Sequence, residues 1–449
     1  MMQLSQVASA TQGQQHGADT LLANVSINTR SDCVGRLFVA LKGDNFDAHD
    51  YLDQAVSAGA AALMVEQDIE TTLPYVKVAS THQALKDLAG WWRSQFVLPV
   101  VGITGSVGKT TVKEMLAYIF AEIGEGVVTE GNLNNEIGVP LTLMRLQAED
   151  RYAVVEMGMN HAGEIERLTK ITRPTIALVN NAGAAHLEGL GSVEAVAQAK
   201  GEIYQGLSAD GVAIVNADDD FSDVWRYLCA DFKTLTFGLS KGATVRASYK
   251  EKEGGLLIHI NSKRDKFKVK INTLGEHSVR NVLAAVTVSL AAKIPVHSIK
   301  AGLANFKPAN GRLNIDTISG VTVIDDSYNA NPASMRAAIN VLVKYDSSVL
   351  IVGDMAELGA AAEAEHRALG EEAARHGVNT LYACGQYADL VVSAFGSGAR
   401  GFQKQADLLA YLSENLPSGA VLVKGSRSAK MELVVEALHK QLNQIGVQH

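Results

Sequence analysis

The stretch Thr104-Gly105-Ser106-Val107-Gly108-Lys109-Thr110-Thr111 constrains this chain more than any other. An apolar run, Val97 to Ile103, precedes it, and Val112, Met115, Leu116, Ile119, Phe120 and Ile123 follow at helical spacing. A glycine-bearing loop therefore lies between a buried strand and a helix, the setting in which backbone N–H groups curl around a phosphate. The helix N-terminus adds its dipole, Lys109 a positive charge, and Thr110 a hydroxyl suited to Mg²⁺. One position departs from the common phosphate loop: the residue five before Gly108 is Ile103, where glycine is usual. The loop makes the chain a user of ATP or GTP before anything else is known.

Around this loop the chain is long enough for about three domains, since 449 residues are available at roughly 150 per domain. The net charge of −8 argues against general binding to nucleic acid or to an anionic membrane. An anionic substrate then needs a local basic site. Cys33, Cys229 and Cys384 are far apart and lack metal-ligand spacing, so they read as reduced, buried thiols of a cytoplasmic protein. Met1 to Thr11 lacks the basic segment and apolar core of a signal peptide, and no apolar run approaches membrane-spanning length.

Three segments follow from the strand and helix pattern. Residues 1–80 read as a small α/β unit with strands at Leu37–Leu41, Ala62–Val65 and Tyr75–Val78 and a helix over Leu52–Ala58. Ser80 with Gln83 is a capping-box signature opening a helix whose apolar face is Leu85, Leu88, Ala89, Trp92 and Phe96. Residues 81–310 alternate helices with strands at Val97–Ile103, Tyr152–Glu156, Thr175–Asn180 and Val212–Asn216, which predicts a parallel sheet with crossover helices. Within it, residues 234–274 look like short antiparallel strands with a turn at Gly254-Gly255, followed by helices near 279–292 and 296–305. Residues 311–449 form a second α/β unit with strands at Val321–Asp325, Val349–Val352, Thr380–Cys384 and Val421–Val423. Polar and glycine-rich residues gather just after these strands, the edge where open α/β sheets bind ligands.

Several residues outside the loop carry chemistry. Glu156 ends a strand next to the phosphate loop and can hold Mg²⁺; the ordinary alternative is a polar strand end. Lys200 lies on the apolar stripe of a helix capped by Ser192, between Val196 and Ile203. An inward ammonium is costly unless paired, neutralised or modified, although a lysine can also snorkel to water. His186, on the loop before that helix, is a candidate second metal ligand. Asn132 to Pro140 is an amide-rich loop suited to a neutral or phosphate ligand, and equally to capping. Asp325 to Pro332 offers two acids, Tyr328 and two asparagines for ribose or base recognition, or for capping. Arg312 is placed to reach a phosphate or an acyl group.

Taken together, Thr104–Thr111, Gly131–Leu141, Glu156–Asn160, Ala185–Gly189, Ala199–Glu202, Gly275–His277, Asp325–Pro332 and Lys424–Ser428 resemble the Mur ligases over essentially the whole chain. The resemblance implies a three-domain α/β fold: a small N-terminal domain, a central P-loop ATPase domain with an antiparallel subsheet, and a C-terminal Rossmann-like domain. It implies ATP-dependent joining of D-alanyl-D-alanine to UDP-N-acetylmuramoyl-tripeptide through an acyl phosphate, by a cytoplasmic monomer. Gly105, Ser106, Val107, Gly108, Lys109, Thr110 and Thr111 would hold the phosphates, and His277, Asn281, Arg312, Asp326 and Asn329 the rest of the nucleotide. Thr110 and Glu156 would bind one Mg²⁺; His186 and a carbamylated Lys200 would bind a second. Asn135 would sit by the acyl end of the tripeptide, Arg30 and Ser31 by the UDP-sugar, and Lys424 and Ser426 by the dipeptide. Two positions depart from the family pattern, Ser278 where asparagine is commoner and Ala48 where glycine is usual. A regulatory GTPase is disfavoured because no Asn-Lys-x-Asp guanine signature is present. Another Mur ligase or a folylpolyglutamate-type ligase is disfavoured by the first domain and by Lys424–Ser428.

Overall fold

The computed structural model describes residues 1–30, 33–252 and 255–446. Its three large sheets follow one another along the chain. The first has five strands in the order Gln14–His16, Tyr75–Lys77, Ala62–Val65, Leu37–Val39 and Val25–Ser26, parallel except for the outermost, Gln14–His16. The sequence pattern missed Gln14–His16 and Val25–Ser26, which are too short to show alternation.

The central sheet has nine strands: Val127–Val128, Ala153–Glu156, Val100–Thr104, Ile176–Val179, Val212–Asn216, Lys233–Gly238, Val245–Lys252, Gly255–Ser262 and Lys266–Ile271. The strand expected from Val97 starts at Val100, and Val97 is fully exposed. Pro99 explains the offset: it has no N–H to give the ladder, and only its carbonyl pairs, accepting from Ala153 N–H at 2.9 Å. Residues 234–274 are not a separate antiparallel unit. Lys233–Gly238 pairs parallel with Val212–Asn216 and with the start of Val245–Lys252, and only the last three strands are mutually antiparallel. Alternation with period two is the same for both pairings, so the sequence does not distinguish them. Gly254 of the expected turn lies outside the described residues. Helices Glu276–Ala291 and Val296–Asn305 follow.

The third sheet has six strands in the order Asn314–Ile318, Val321–Asp326, Ala420–Lys424, Ser348–Gly353, Thr380–Cys384 and Ala399–Phe402, all parallel except the first. Ala420–Lys424 returns late in the chain to lie between two earlier strands. Such a reversal of strand order opens a crevice at the carboxyl ends, where loops leave in opposite directions.

Apolar clusters cover both faces of each large sheet. One cluster runs from Met2 to Cys229 and takes in the first sheet, helix Thr81–Arg93 and one face of the central sheet. A second fills the other face of the central sheet with helices Lys109–Ala121, Glu276–Ala291 and Val296–Asn305. Two more sandwich the third sheet. The cysteines are free and buried, and no helix among the described residues is long and apolar enough to cross a membrane.

Candidate active site

Ile103 is a core residue of its strand, fully buried and in register with Glu156 on one side and Leu178 on the other. The phosphate loop therefore turns after the strand, at Gly105, and glycine is not needed at 103. It is needed at Gly108, where φ is +79° and an added Cβ would lie 2.5 Å from Asn281 Oδ1 and 2.8 Å from Asn180 Nδ2. The loop is tied to the end of the neighbouring strand: Val107 N–H donates to Asn181 Oδ1 (2.8 Å), and Asn180 and Asn181 Nδ2 both donate to the Val107 carbonyl (2.9 Å each). Asn180 also donates to Asn281 Oδ1 at 3.1 Å, joining the loop to helix Glu276–Ala291. The helix after the loop begins at Lys109, so its first N–H groups have no partner within the helix. Lys109 Nζ donates to the Gly105 carbonyl at 2.6 Å. Burial lowers the Lys109 pKa and nearby Arg312 lowers it further, while Glu156 and Glu357 pull against them.

Register places Glu156 beside this loop, and its surroundings orient it. Its N–H donates to Thr129 Oγ1 (3.0 Å), and Asn134 Nδ2 donates to Oε1 (2.8 Å). Oε2 is buried with no hydrogen-bond partner. An orphaned carboxylate oxygen beside a phosphate loop fits a hard cation. Among the described residues no three His, Cys, Asp or Glu side chains converge on one point. That suits Mg²⁺, which takes one or two carboxylates and draws the rest of its shell from phosphates and water.

Lys200 is 1% exposed and makes no hydrogen bond or ion pair with a described residue. It does not snorkel. Burial, with Lys109 adding to it, holds its pKa well below the ordinary lysine value, because an unpaired ammonium is costly in such surroundings. Helix Val193–Gly201 carries it, and Ser192 Oγ caps that helix through Ala195 N–H at 3.1 Å. His186 sits at the preceding turn with φ +57°, and its Nδ1 lies 2.7 Å from Glu357 Oε2. The close approach of His186 holds the Glu357 carboxyl below its usual range, with Lys109 contributing.

A cleft of about 1320 Å³ opens between the central and third sheets. It is lined by Ser106 to Thr111, Asn135, Glu156, His186, His277, Asn281, Arg312, Asp326, Asn329 and Lys424, which the sequence singled out. Its volume exceeds the usual ligand pocket of roughly 300–1,000 Å³, which leaves room for more than a nucleotide. On the third sheet's side, Lys424 Nζ pairs with Asp326 at 2.5 Å and donates to the Asn329 carbonyl at 2.8 Å. Burial raises the Asp326 pKa and Lys424 opposes it. Arg312 stacks over Tyr328 at 4.1 Å, with Arg427 at 5.8 Å from the same ring. Burial and the cations Lys424, Lys344 and Arg280 push His277 down to about 4, so its imidazole is neutral at physiological pH. Asn135 Oδ1 caps helix Gly138–Met144 through Gly138 N–H at 2.9 Å, while the residue still lines the cleft.

Not every expected residue reaches this cleft. Gly105, Lys200 and Ser426 lie outside its lining; Ser426 is 1% exposed, and its N–H donates to the Asp354 carbonyl at 2.9 Å. Arg30 is an exposed residue of the first region, and Ser31 lies outside the described residues. Conversely, Asn180, Asn181, Arg280 and Glu357 line the cleft without having been singled out as site residues, while Asn134 of the amide-rich loop reaches it as well. The asparagine pair ending an otherwise apolar strand was a usable signal. Glu357, in an ordinary-looking loop, gave none.

The middle-domain model of the Mur ligases matches residues 103–289, and the Mur ligase glutamate ligase domain model matches residues 311–427. The chain is 43% identical to the UDP-N-acetylmuramoyl-tripeptide–D-alanyl-D-alanine ligase of Escherichia coli K12, over 97% of this chain and 98% of the relative. It is 33% identical to the ligase of that name from Bacillus subtilis, over 93% of each. Among solved structures, MurF from Acinetobacter baumannii superposes with a TM-score of 0.91 at 35% identity, covering 97% of this chain and 98% of that one. MurF ligase from Thermotoga maritima in complex with ADP gives 0.83 at 28% identity, covering 95% and 100%.

Proposed function

The chain belongs to the Mur ligase family, and we propose that it is the member that joins D-alanyl-D-alanine to UDP-N-acetylmuramoyl-tripeptide. It is then an ATP-dependent carbon–nitrogen ligase of peptidoglycan precursor synthesis, releasing ADP and phosphate. The observation that carries this reading is the reach of the kinship. It runs through all three sheets, and not only through the region that carries the phosphate loop.

A carboxylate is a poor electrophile, so the γ-phosphoryl group of ATP first passes to the tripeptide's terminal carboxylate. The products of that step are an acyl phosphate and ADP. Lys109 and the N–H groups of Gly108 to Thr111 hold the phosphates and offset the charge spread over the transferring oxygens, with Gly105, Ser106 and Val107 shaping the loop around them. His277, Asn281, Arg312, Asp326 and Asn329 hold the rest of the nucleotide, and the neutral His277 can donate or accept a hydrogen bond there. Glu156 and Thr110 would hold one Mg²⁺; a second would fall to His186 and a carbamylated Lys200. Bound there, the metal neutralises charge on the phosphoryl oxygens. Carbamylation would add CO₂ to the neutral form of the Lys200 amine with release of a proton, and would give an anion suited to a cation. Asn135 lies by the acyl end. The dipeptide amine then attacks the acyl carbon, and the bond to phosphate breaks.

In this reading residues 1–80 bind the UDP-sugar through Arg30 and Ser31, residues 81–310 bind ATP, and residues 311–449 bring the dipeptide, with Lys424 on the cleft and the buried Ser426 supporting that edge from behind. The enzyme works as a cytoplasmic monomer. Closure of the cleft keeps water from the acyl phosphate.

The deciding experiment is an acceptor panel. Phosphate release from ATP is followed with UDP-N-acetylmuramoyl-tripeptide and either D-alanyl-D-alanine, single amino acids or no acceptor, with and without bicarbonate. Release should require the dipeptide, and in CO₂-depleted buffer it should fall and recover on adding bicarbonate. Equal release with a single amino acid assigns a different adding reaction. Indifference to CO₂ removes the carbamate.

A further inference from the structure

Amide formation needs a group that receives the incoming amine, and the sequence offered no base or anchor for it. An α-amino group has a pKa near ~8 and arrives largely as ammonium at neutral pH. It must reach the acyl carbon, within a few ångströms of the phosphate held by Lys109. The receiving group should therefore be an anion, close to Lys109, on the part of the protein that brings the acceptor.

The cleft's carboxylates can be sorted on that basis. Asp326 is paired with Lys424, and Glu276 with Arg280 at 2.8 Å. Asp218 accepts from Leu239 and Ser240 N–H, and Asp219 from Ala182 and Phe221 N–H. Glu164 accepts from Asn160 N–H, and Glu156 is oriented by Asn134 on the nucleotide side. Glu357 differs from all of these. It is carried by the third sheet, on the loop after strand Ser348–Gly353. It reaches across the cleft to His186 at 2.7 Å and into the field of Lys109. Its side chain is 56% exposed, and Oε1 makes no bond with a described residue.

The loop is built to present this side chain. Met355 and Leu358 on either side are each 3% exposed. Met355 N–H donates to Nε2 of the buried His366 at 2.9 Å, and His366 Nδ1 faces the Ala362 carbonyl at 2.7 Å. Asp354 is held at both ends: its carbonyl accepts from Ser426 N–H, and its carboxylate accepts from Gln386 and Tyr387 N–H. Between these anchors Glu357 has φ +61°, a conformation that non-glycine residues avoid unless the surroundings impose it.

We propose that Glu357 binds the ammonium group of the acceptor and aims its nitrogen at the acyl phosphate. This rests on the ligase reading above. The ammonium first gives one proton to water, the nitrogen forms the C–N bond with the lone pair so freed, and the bond from the acyl carbon to the phosphate oxygen breaks. Of the two protons the ammonium loses, one leaves with phosphate as HPO₄²⁻ and the other goes to water. Glu357 acts on the acceptor and has no part in activating the tripeptide.

The test uses the full-length enzyme as E357Q and E357D. Ligation of D-alanyl-D-alanine is compared with hydroxamate formation from hydroxylamine, a nucleophile uncharged at neutral pH that intercepts the same acyl phosphate. Losing a charge-assisted hydrogen bond costs about 10²-fold. E357Q should lose about that factor in kcat/KM for the dipeptide, mostly through KM, and E357D should recover part of it. Hydroxamate formation should stay within about twofold of wild type. Parallel loss of both reactions would place Glu357 in activation through His186 and overturn the proposal, as would unchanged dipeptide kinetics in E357Q. Wild-type enzyme that forms hydroxamate but never ligates the dipeptide would instead overturn the substrate assignment.

Discussion

The central sheet meets its two neighbours in opposite ways. Toward the first sheet the contact is hydrocarbon. Helix Thr81–Arg93 buries Leu85, Leu88, Ala89 and Trp92 in a cluster that continues without a gap from Met2 to Cys229. Toward the third sheet the described contacts are largely between polar side chains: His186 with Glu357 and Glu251 with Lys344, across a large cleft. Leu274 and a few close approaches, such as Gly359 against Glu188, are the apolar exceptions. Opening the first contact would expose apolar surface at about 25 cal/mol per Å². Opening the second exchanges ion pairs for hydration at little net cost. The first two regions are therefore expected to act as one body and the third to close on it, a contrast that substitutions at each contact can test.

The sharpest way to break this comparison is to damage the apolar contact. Trp92 is 8% exposed and its indole N–H donates to the Leu146 carbonyl at 3.1 Å. W92A should cost about 3–5 kcal/mol in denaturant unfolding, and the first and central regions should lose structure in one transition. A separate early transition of the first region, with the central region intact, would show that the shared cluster does not couple them.

A middle-sized effect should come from the brace behind Glu357. H366L keeps a buried apolar volume but removes the acceptor for Met355 N–H, which costs about 1–3 kcal/mol. The loss should appear as earlier unfolding of the third region alone. KM for the acceptor should rise several-fold, with hydroxamate formation unchanged. Destabilisation that spread to the central region would mean the polar contact is as cooperative as the apolar one.

How far the sequence revealed these features depends on how local their causes are. Gly105 to Thr111 was legible because a strand, a loop and a helix write their pattern within about 25 contiguous residues. Lys200 was half legible: a helical stripe shows which way a side chain faces, but not whether its ammonium bends back to water, and here it stays buried. Gly108 was only half legible. Its φ is local, but the crowding by Asn180 and Asn281 joins residues far apart in the chain. Ile103 stood out as a departure whose reason the pattern did not give: here the residue is still paired within the strand, and the turn comes after it. Glu357 was invisible: its role comes from anchors at His366, Gln386 and Ser426, none of which a pattern in the loop can announce.

The smallest expected effect tests whether the polar contact is as exchangeable as its chemistry suggests. Lys344 and Glu251 join the third and central regions through side chains 43% and 35% exposed. A pair that open to solvent contributes about 0–1 kcal/mol, and salt screens it. K344A should leave unfolding within about 0.5 kcal/mol of wild type and alter ligation by less than about twofold. Any difference should vanish as ionic strength rises from about 0.05 to 0.5 M. A loss well above 1 kcal/mol, persisting at high salt, would mean this pair latches the third region in place. The cleft would then open by breaking a specific bond, and the contrast with the apolar contact would be one of position rather than of strength.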